Sequence, residues 1–262
     1  LIGMFILTGG VLWSNFHKHK VNVAESKRER DLKIISSSSV QSLILESAQD
    51  VSKVISKCND IYLGSINGLA RLNAEDLRTS KKEVSRLGKE IDKLRNELFY
   101  FIQELEEENV KASHFYISLI SILEDMAQSL EYITKASYKH VNNNHRQLKY
   151  SQIKELKETQ ADLEGLLSDV RFAFDINGYE AFATFADKKE ELFANIDAKI
   201  NQQVQRTRSK EEKSPKNTTL FFGLMVETKD LIVATINLIE HYHLHYDPTV
   251  TPKKLGDEQK DK

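Results

Sequence analysis

Apolar residues recur along this chain at alternating steps of three and four, the spacing of helices that bury one stripe. From residue 40 onward the pattern predicts six helices. The first, over 40–72, carries Leu43, Ser47, Val51, Val54, Cys58, Ile61 and Leu69 on one side. The second opens after Asn73, an N-cap residue with Asp76 three positions on. Its positions Val84, Leu87, Ile91, Leu94, Leu98, Phe101 and Leu105 form a heptad seam, and Lys81, Lys82, Lys89, Glu90, Lys93 and Arg95 read as its solvated face. The third, 110–140, aligns Phe115, Leu119, Ile122, Met126, Leu130 and Ile133. Asn142, Asn143 and Asn144 interrupt the pattern as a turn. The fourth, 151–174, aligns Ile153, Leu156, Leu163, Leu167, Val170 and Phe174, and Asn177–Gly178 stops it. The fifth, 179–208, aligns Phe182, Phe185, Phe193, Ile196, Ile200 and Val204. A polar stretch with Pro215 precedes the sixth, 218–245, and the charged tail from 247 reads as disordered.

Composition agrees with an all-α reading. In 262 residues there are only 3 prolines and 10 glycines, too few breakers for many turns. Each helix has one apolar stripe, so each must pack on neighbours. The triple asparagine divides the six into units at 40–141 and 142–246, each an antiparallel three-helix bundle. The formal charge is −2, so no strong field favours nucleic acid as a partner. The one cysteine, Cys58, excludes an internal disulfide and lies in an apolar stripe, as core filler does.

Residues 1–13 carry no charge. A bilayer span takes about 20 apolar residues, so this stretch, out to residue 16, reads as the end of a transmembrane helix that begins in a longer chain. His17, Lys18, His19, Lys20, Lys27, Arg28, Arg30 and Lys33 come next, and Trp13 and Phe16 stand at the junction. Basic residues just past a span place the adjoining part of the chain in the cytoplasm. Residues 17–39 are then a basic cytoplasmic connector.

A weak internal repeat links the third and sixth helices. Aligning Asp125 with Asp230 superposes their apolar positions and puts one acidic residue inside each apolar run. Two tandem three-helix units with an aspartate at corresponding places resemble the PhoU family. Residues 113–148 (SHFYISLISILEDMAQSLEYITKASYKHVNNNHRQL) resemble more closely the cytoplasmic domain of some bacterial inorganic phosphate transporters of the PiT type. Residues 226–239 (VETKDLIVATINLI) are similar to the closing helix of that domain.

The resemblance implies a regulatory domain tethered to a transporter in the bacterial inner membrane. Inorganic phosphate would be handled by an upstream membrane domain of the same chain, and a homodimer is compatible with it. It also implies acidic residues able to hold a divalent or ferric metal ion. Glu124, Asp125, Glu227 and Asp230 are the candidates, although the family's pattern of paired carboxylates one turn apart is incomplete here. The preferred assignment pairs Asp125 and Asp230 with lysine or arginine, or has them cap a polar seam between the bundles. A second metal candidate is His241 with His245, four apart on one helix face. The more ordinary reading is a histidine-rich helix end set against the negative pole of the helix. No phosphate loop, dinucleotide fingerprint, nucleophile elbow or His-Glu-x-x-His occurs, and the chain reads as non-enzymatic. Two alternatives stand beside the transporter domain: a soluble PhoU-like regulator of phosphate uptake, and a structural helical-bundle protein.

Overall fold

The computed structural model describes residues 40–103 and 110–249. The membrane-span and connector expectations for residues 1–39, and most of the expected disordered tail, lie outside them. Among the described residues no helix is long and apolar enough to cross a membrane. These described residues form six helices in order: α1 Val40–Arg71, α2 Ala74–Gln103, α3 Val110–Asn142, α4 Tyr150–Ile176, α5 Phe182–Arg208 and α6 Pro215–His245. A 3-10 turn, Tyr179–Ala181, leads into α5.

Each boundary has a local cause. Leu72, at φ 54°, reverses the chain after α1, and Asn73 N–H donates to Gly68 O at 2.8 Å. Asn73 Oδ1 then accepts from the amides of Glu75 and Asp76, capping α2 as its side chain predicts. Gly68 permits this tight reversal, because a Cβ there would lie 2.8 Å from Leu77 Cγ. Asn177, at φ 54°, ends α4 two residues later than the stripe implied, and Gly178 N–H closes back on Ala173 O. The sixth helix starts three residues earlier than expected. Ser214 Oγ accepts from Asn217 N–H, and Pro215 takes the first helical position, where its missing N–H costs nothing.

The helices pack as two triplets that share a core. In the first, α2 lies on α1 and α3; in the second, α5 lies on α4 and α6. The triplets join through two antiparallel pairs, α1 with α4 and α3 with α6. Ser52 Oγ donates to Asp175 Oδ1 at 2.6 Å, and farther along Lys157 reaches Asn67, which fixes the α1–α4 direction. His241 Nε2 donates to Phe115 O at 2.9 Å, which fixes α3 against α6.

The predicted stripes form the core. Leu43, Val51, Ile61, Leu87, Ile91, Phe115, Met126, Leu130, Leu167 and Phe174 are all buried. So is Cys58, whose thiol is pushed up to about 12 by burial. Val204 departs from the pattern and is 37 % exposed, at the outer end of α5. Hydroxyl pairs stitch the core across chain-distant helices. Ser47 Oγ and Tyr242 OH are 2.7 Å apart, Tyr62 OH and Thr228 Oγ1 2.9 Å, and Ser65 Oγ and Thr134 Oγ1 3.0 Å. All six are buried, so each pair spares two hydroxyls the cost of losing water unpaired.

The second triplet holds one nearly buried ion pair. Arg206 Nη1 and Nη2 donate to Glu155 Oε1 and Oε2 at 2.7 and 2.6 Å, and Arg206 Nε donates to Gln203 Oε1. This fork is bidentate, with about a tenth of each side chain exposed. Replacing Arg206 with Met should strand the Glu155 carboxylate and lower unfolding stability by about 3 kcal/mol. Urea denaturation of the two proteins checks this, and an unchanged midpoint would contradict it.

Candidate functional site: an acidic cleft between α3 and α6

The repeat alignment of Asp125 with Asp230 acquires a spatial meaning in the α3–α6 pair. Tyr132 packs over Gly223, where a Cβ would meet the phenol oxygen at 2.6 Å. Seven residues back from Tyr132 is Asp125, and seven residues on from Gly223 is Asp230. The helices are antiparallel, so the two aspartates stand at the same level on facing helices. Both are exposed and line one cleft of about 530 Å³. Its other walls are Gln128, Ser129 and Tyr132 from α3, and Glu227, Val233, Ala234 and Asn237 from α6.

Helical spacing explains this lining. Gln128, Ser129 and Tyr132 lie three, four and seven residues after Asp125; Glu227 and Asn237 lie three before and seven after Asp230. Met126 and Leu231, neighbours of the two aspartates in sequence, are fully buried in the core instead. Gln128, Ser129, Tyr132 and Asn237 did not stand out in the sequence. The same period that aligned the stripe places them on the cleft, once the aspartates mark the face.

The four acidic candidates therefore separate. Asp125, Glu227 and Asp230 share the cleft, whereas Glu124 turns toward α2 and accepts from Arg95 Nη1 at 2.9 Å. The expected lysine or arginine partners for Asp125 and Asp230 are not found. Among the described residues no basic side chain forms an ion pair with either. The reason is positional. The lysine nearest in sequence, Lys229, points to the other side of α6, where it pairs with Asp197 at 2.9 Å. Burial raises the Glu227 pKa, nearby Asp230 raises it further, and a hydrogen bond with Ser129 works against both.

As arranged, these oxygens do not make a closed metal centre. Among the described residues, no three His, Cys, Asp or Glu side chains are grouped to hold a metal ion. The histidines of α6 are engaged otherwise. His241 is buried, stacks on Phe115 with ring centroids 4.6 Å apart, and donates to the Phe115 carbonyl. His245 Nδ1 donates to the His241 carbonyl at 2.8 Å. Burial lowers the His241 pKa, with the neighbouring His245 adding to the effect and the Phe115 carbonyl opposing it. This corrects the helix-pole reading for His241: the ring is packed where its neutral form is favoured, and only His243 and His245 remain at the open end of the helix.

Against known proteins, no family model and no curated sequence matches the chain. Among solved structures, the crystal structure of the phosphate transport system regulatory protein PhoU from Streptococcus pneumoniae resembles it, with a TM-score of 0.56. The two are 15% identical, and the likeness covers 84% of this chain and 95% of that one. The chain thus has a PhoU-like, all-helical fold, as the resemblance implied.

The cleft carries one pH-dependent expectation. Glu227 holds its proton more tightly in the folded chain than in the unfolded one, so ionising it costs stability above its raised pKa. That cost fades as pH falls and the group is protonated in both states. Glu227→Gln should therefore unfold at higher urea than the parent at pH 7, and the two midpoints should converge toward pH 4. A gap that widens on acidification would contradict the raised pKa.

Proposed function

We propose that this chain is a regulatory helical domain for inorganic phosphate transport, tethered through its N-terminal residues to the transporter it controls. The observation that carries this is the PhoU-like pairing of two three-helix units, with Asp125, Glu227 and Asp230 gathered at their junction. In this reading the bundle acts without a reacting group of its own. Its means of action is a change in how the triplets meet, because packed helices have discrete arrangements rather than a continuum.

The junction is suited to such a change. It is polar and open on one side, and it brings Glu227 and Asp230 together at a mutual electrostatic cost. Anything that relieves this repulsion, whether a proton, a cation or a basic partner side chain, favours the arrangement in which it occurs. Residues 1–16 fit the end of a transmembrane helix, and the basic residues from Lys18 to Lys33 fit a cytoplasmic connector. In this reading the domain sits at the inner face of a bacterial membrane. Phosphate itself is carried by the membrane domain and does not bind the bundle in this reading.

The test is uptake of labelled phosphate in cells that lack their own uptake systems and express the complete gene. Removing the coding region for residues 40–249 should change the uptake rate, or its dependence on external phosphate, by several-fold while membrane levels stay constant. Replacing Asp125 and Asp230 together with Asn should move uptake in the same direction. Indifference of uptake to both changes would contradict the proposal.

A further inference from the structure

We infer that two copies of this chain pair through the outer face of α4, the basic start of the helix in each copy seated on its acidic end in the other. The inference concerns self-association alone and does not rest on the phosphate reading.

The formal charge of −2 hides a separation of charge in space. One end of the bundle gathers three connections, at residues 72–73, 143–149 and 209–214. Gln147 Nε2 donates to Ala70 O at 3.4 Å, and Asn217 Nδ2 donates to Gln147 O at 3.0 Å, so the three lie side by side. Around them, residues 67–83, 131–158 and 203–218 expose twelve lysines and arginines against three carboxylates. Glu155 and Glu212 also belong to this end but are buried. The far half of α4 and the start of α5 have the opposite character. Residues 164–191 expose seven carboxylates and, of the basic residues, only Arg171.

Helix α4 carries both characters on one exposed face. Tyr150, Lys154, Ala161, Ser168, Phe172 and Ile176 recur at steps of four and seven and are all exposed. Tyr150 is 82 % and Phe172 61 % exposed, so each charged end holds a large apolar side chain at its middle. Between them the face is low. A Cβ on Gly165 would meet only Lys188 Nζ, at 3.9 Å, so another backbone can come close there.

A second copy is the occupant because both halves of the match are on this chain and one arrangement satisfies them together. Set two α4 helices antiparallel, with Ala161 of each opposite Gly165 of the other. Tyr150 then comes opposite Ile176, and Lys154 opposite Phe172, with Asp175 one turn away. Arg146, four residues before Tyr150, reaches the level of Glu180, four residues after Ile176. A two-fold axis makes every such contact twice, giving apolar anchors inside rims of opposite charge. Lys154 over the Phe172 ring adds a cation–π contact. Near the axis, Glu158 and Asp162 already have Lys199 within 4.0 Å, which limits repulsion between the copies. The pairing also tolerates a tether. Residues 17–39 reach at most about 75 Å, more than the roughly 48 Å length of α1, so antiparallel copies can be held by one membrane.

Sedimentation velocity of the full chain tests this. At about 50 mM NaCl the chain should sediment as a dimer, and about 500 mM should weaken the dimer at least tenfold. Reversing the basic end by Arg146→Glu with Lys154→Glu should weaken it at least tenfold, and so should Asp175→Lys with Glu180→Lys at the acidic end. Mixing the two variants should restore a dimer, because each reversed end then meets its complement. As a second measurement, a mixture of Ala161→Cys and Gly165→Cys chains should form a mixed disulfide on mild oxidation, since Cys58 is buried and does not compete. A monomer at low salt would overturn the pairing. Association unchanged by both reversals would overturn it too, and so would failure to recover on mixing together with no mixed disulfide. Phosphate uptake is not read in these assays, so the regulatory reading can fail while the pairing stands.

Discussion

The antiparallel seam between α3 and α6 is the constraint on which the site depends. The two triplets pack alike, and a weak sequence alignment sets Asp125 of α3 against Asp230 of α6. The two helices also face one another in opposite directions, with Phe115 against His241 and Tyr132 against Gly223. When two equivalent helices pack antiparallel, most equivalent residues end up far apart. Only the residues at the crossing point of the approximate two-fold axis meet their own counterparts. Here that point falls on the aspartates. A repeat that is barely detectable in sequence thereby becomes a single acidic cleft.

That crossing holds only because the core beneath it is common to both units. Tyr62 reaches Thr228 and Ser47 reaches Tyr242, so α1 is bonded to α6 across the boundary between the units. Tyr242 also packs edge-on against both Phe115 and Phe174, which come from different triplets. Loss of the shared core would let α3 and α6 slide, and a slide of one turn would separate Asp125 from Asp230 by about 5 Å along the seam.

Much of this was legible in the sequence. The stripes of α1, α3 and α4 became the core because a helix with one apolar face has a single way to bury it. Asn73 and Asn177 marked helix boundaries through chemistry intrinsic to those residues. What stayed hidden was long-range and electrostatic. Sequence spacing could not show that Lys229 turns to Asp197 and leaves Asp230 without a basic partner among the described residues, or that Arg95 of α2 takes Glu124 out of the acidic group. Nor could it show that His241 is packed on Phe115 rather than open to water, because burial depends on which helix arrives opposite. The separation of exposed basic and acidic residues between the two ends of α4 likewise becomes visible only when the helix ends are sorted in space.

The separation of residues 125 and 230 tests the account most directly. Spin labels attached to cysteines at both positions of the otherwise unchanged chain would report it through their dipolar coupling. Helices packed in contact have axes about 8–10 Å apart, so labels facing each other across one cleft should lie within about 20 Å and broaden each other's spectra strongly. Spectra equal to the sum of the two singly labelled proteins, with no coupling, would show that the equivalent aspartates do not meet. The paired-triplet account of the site would then be wrong.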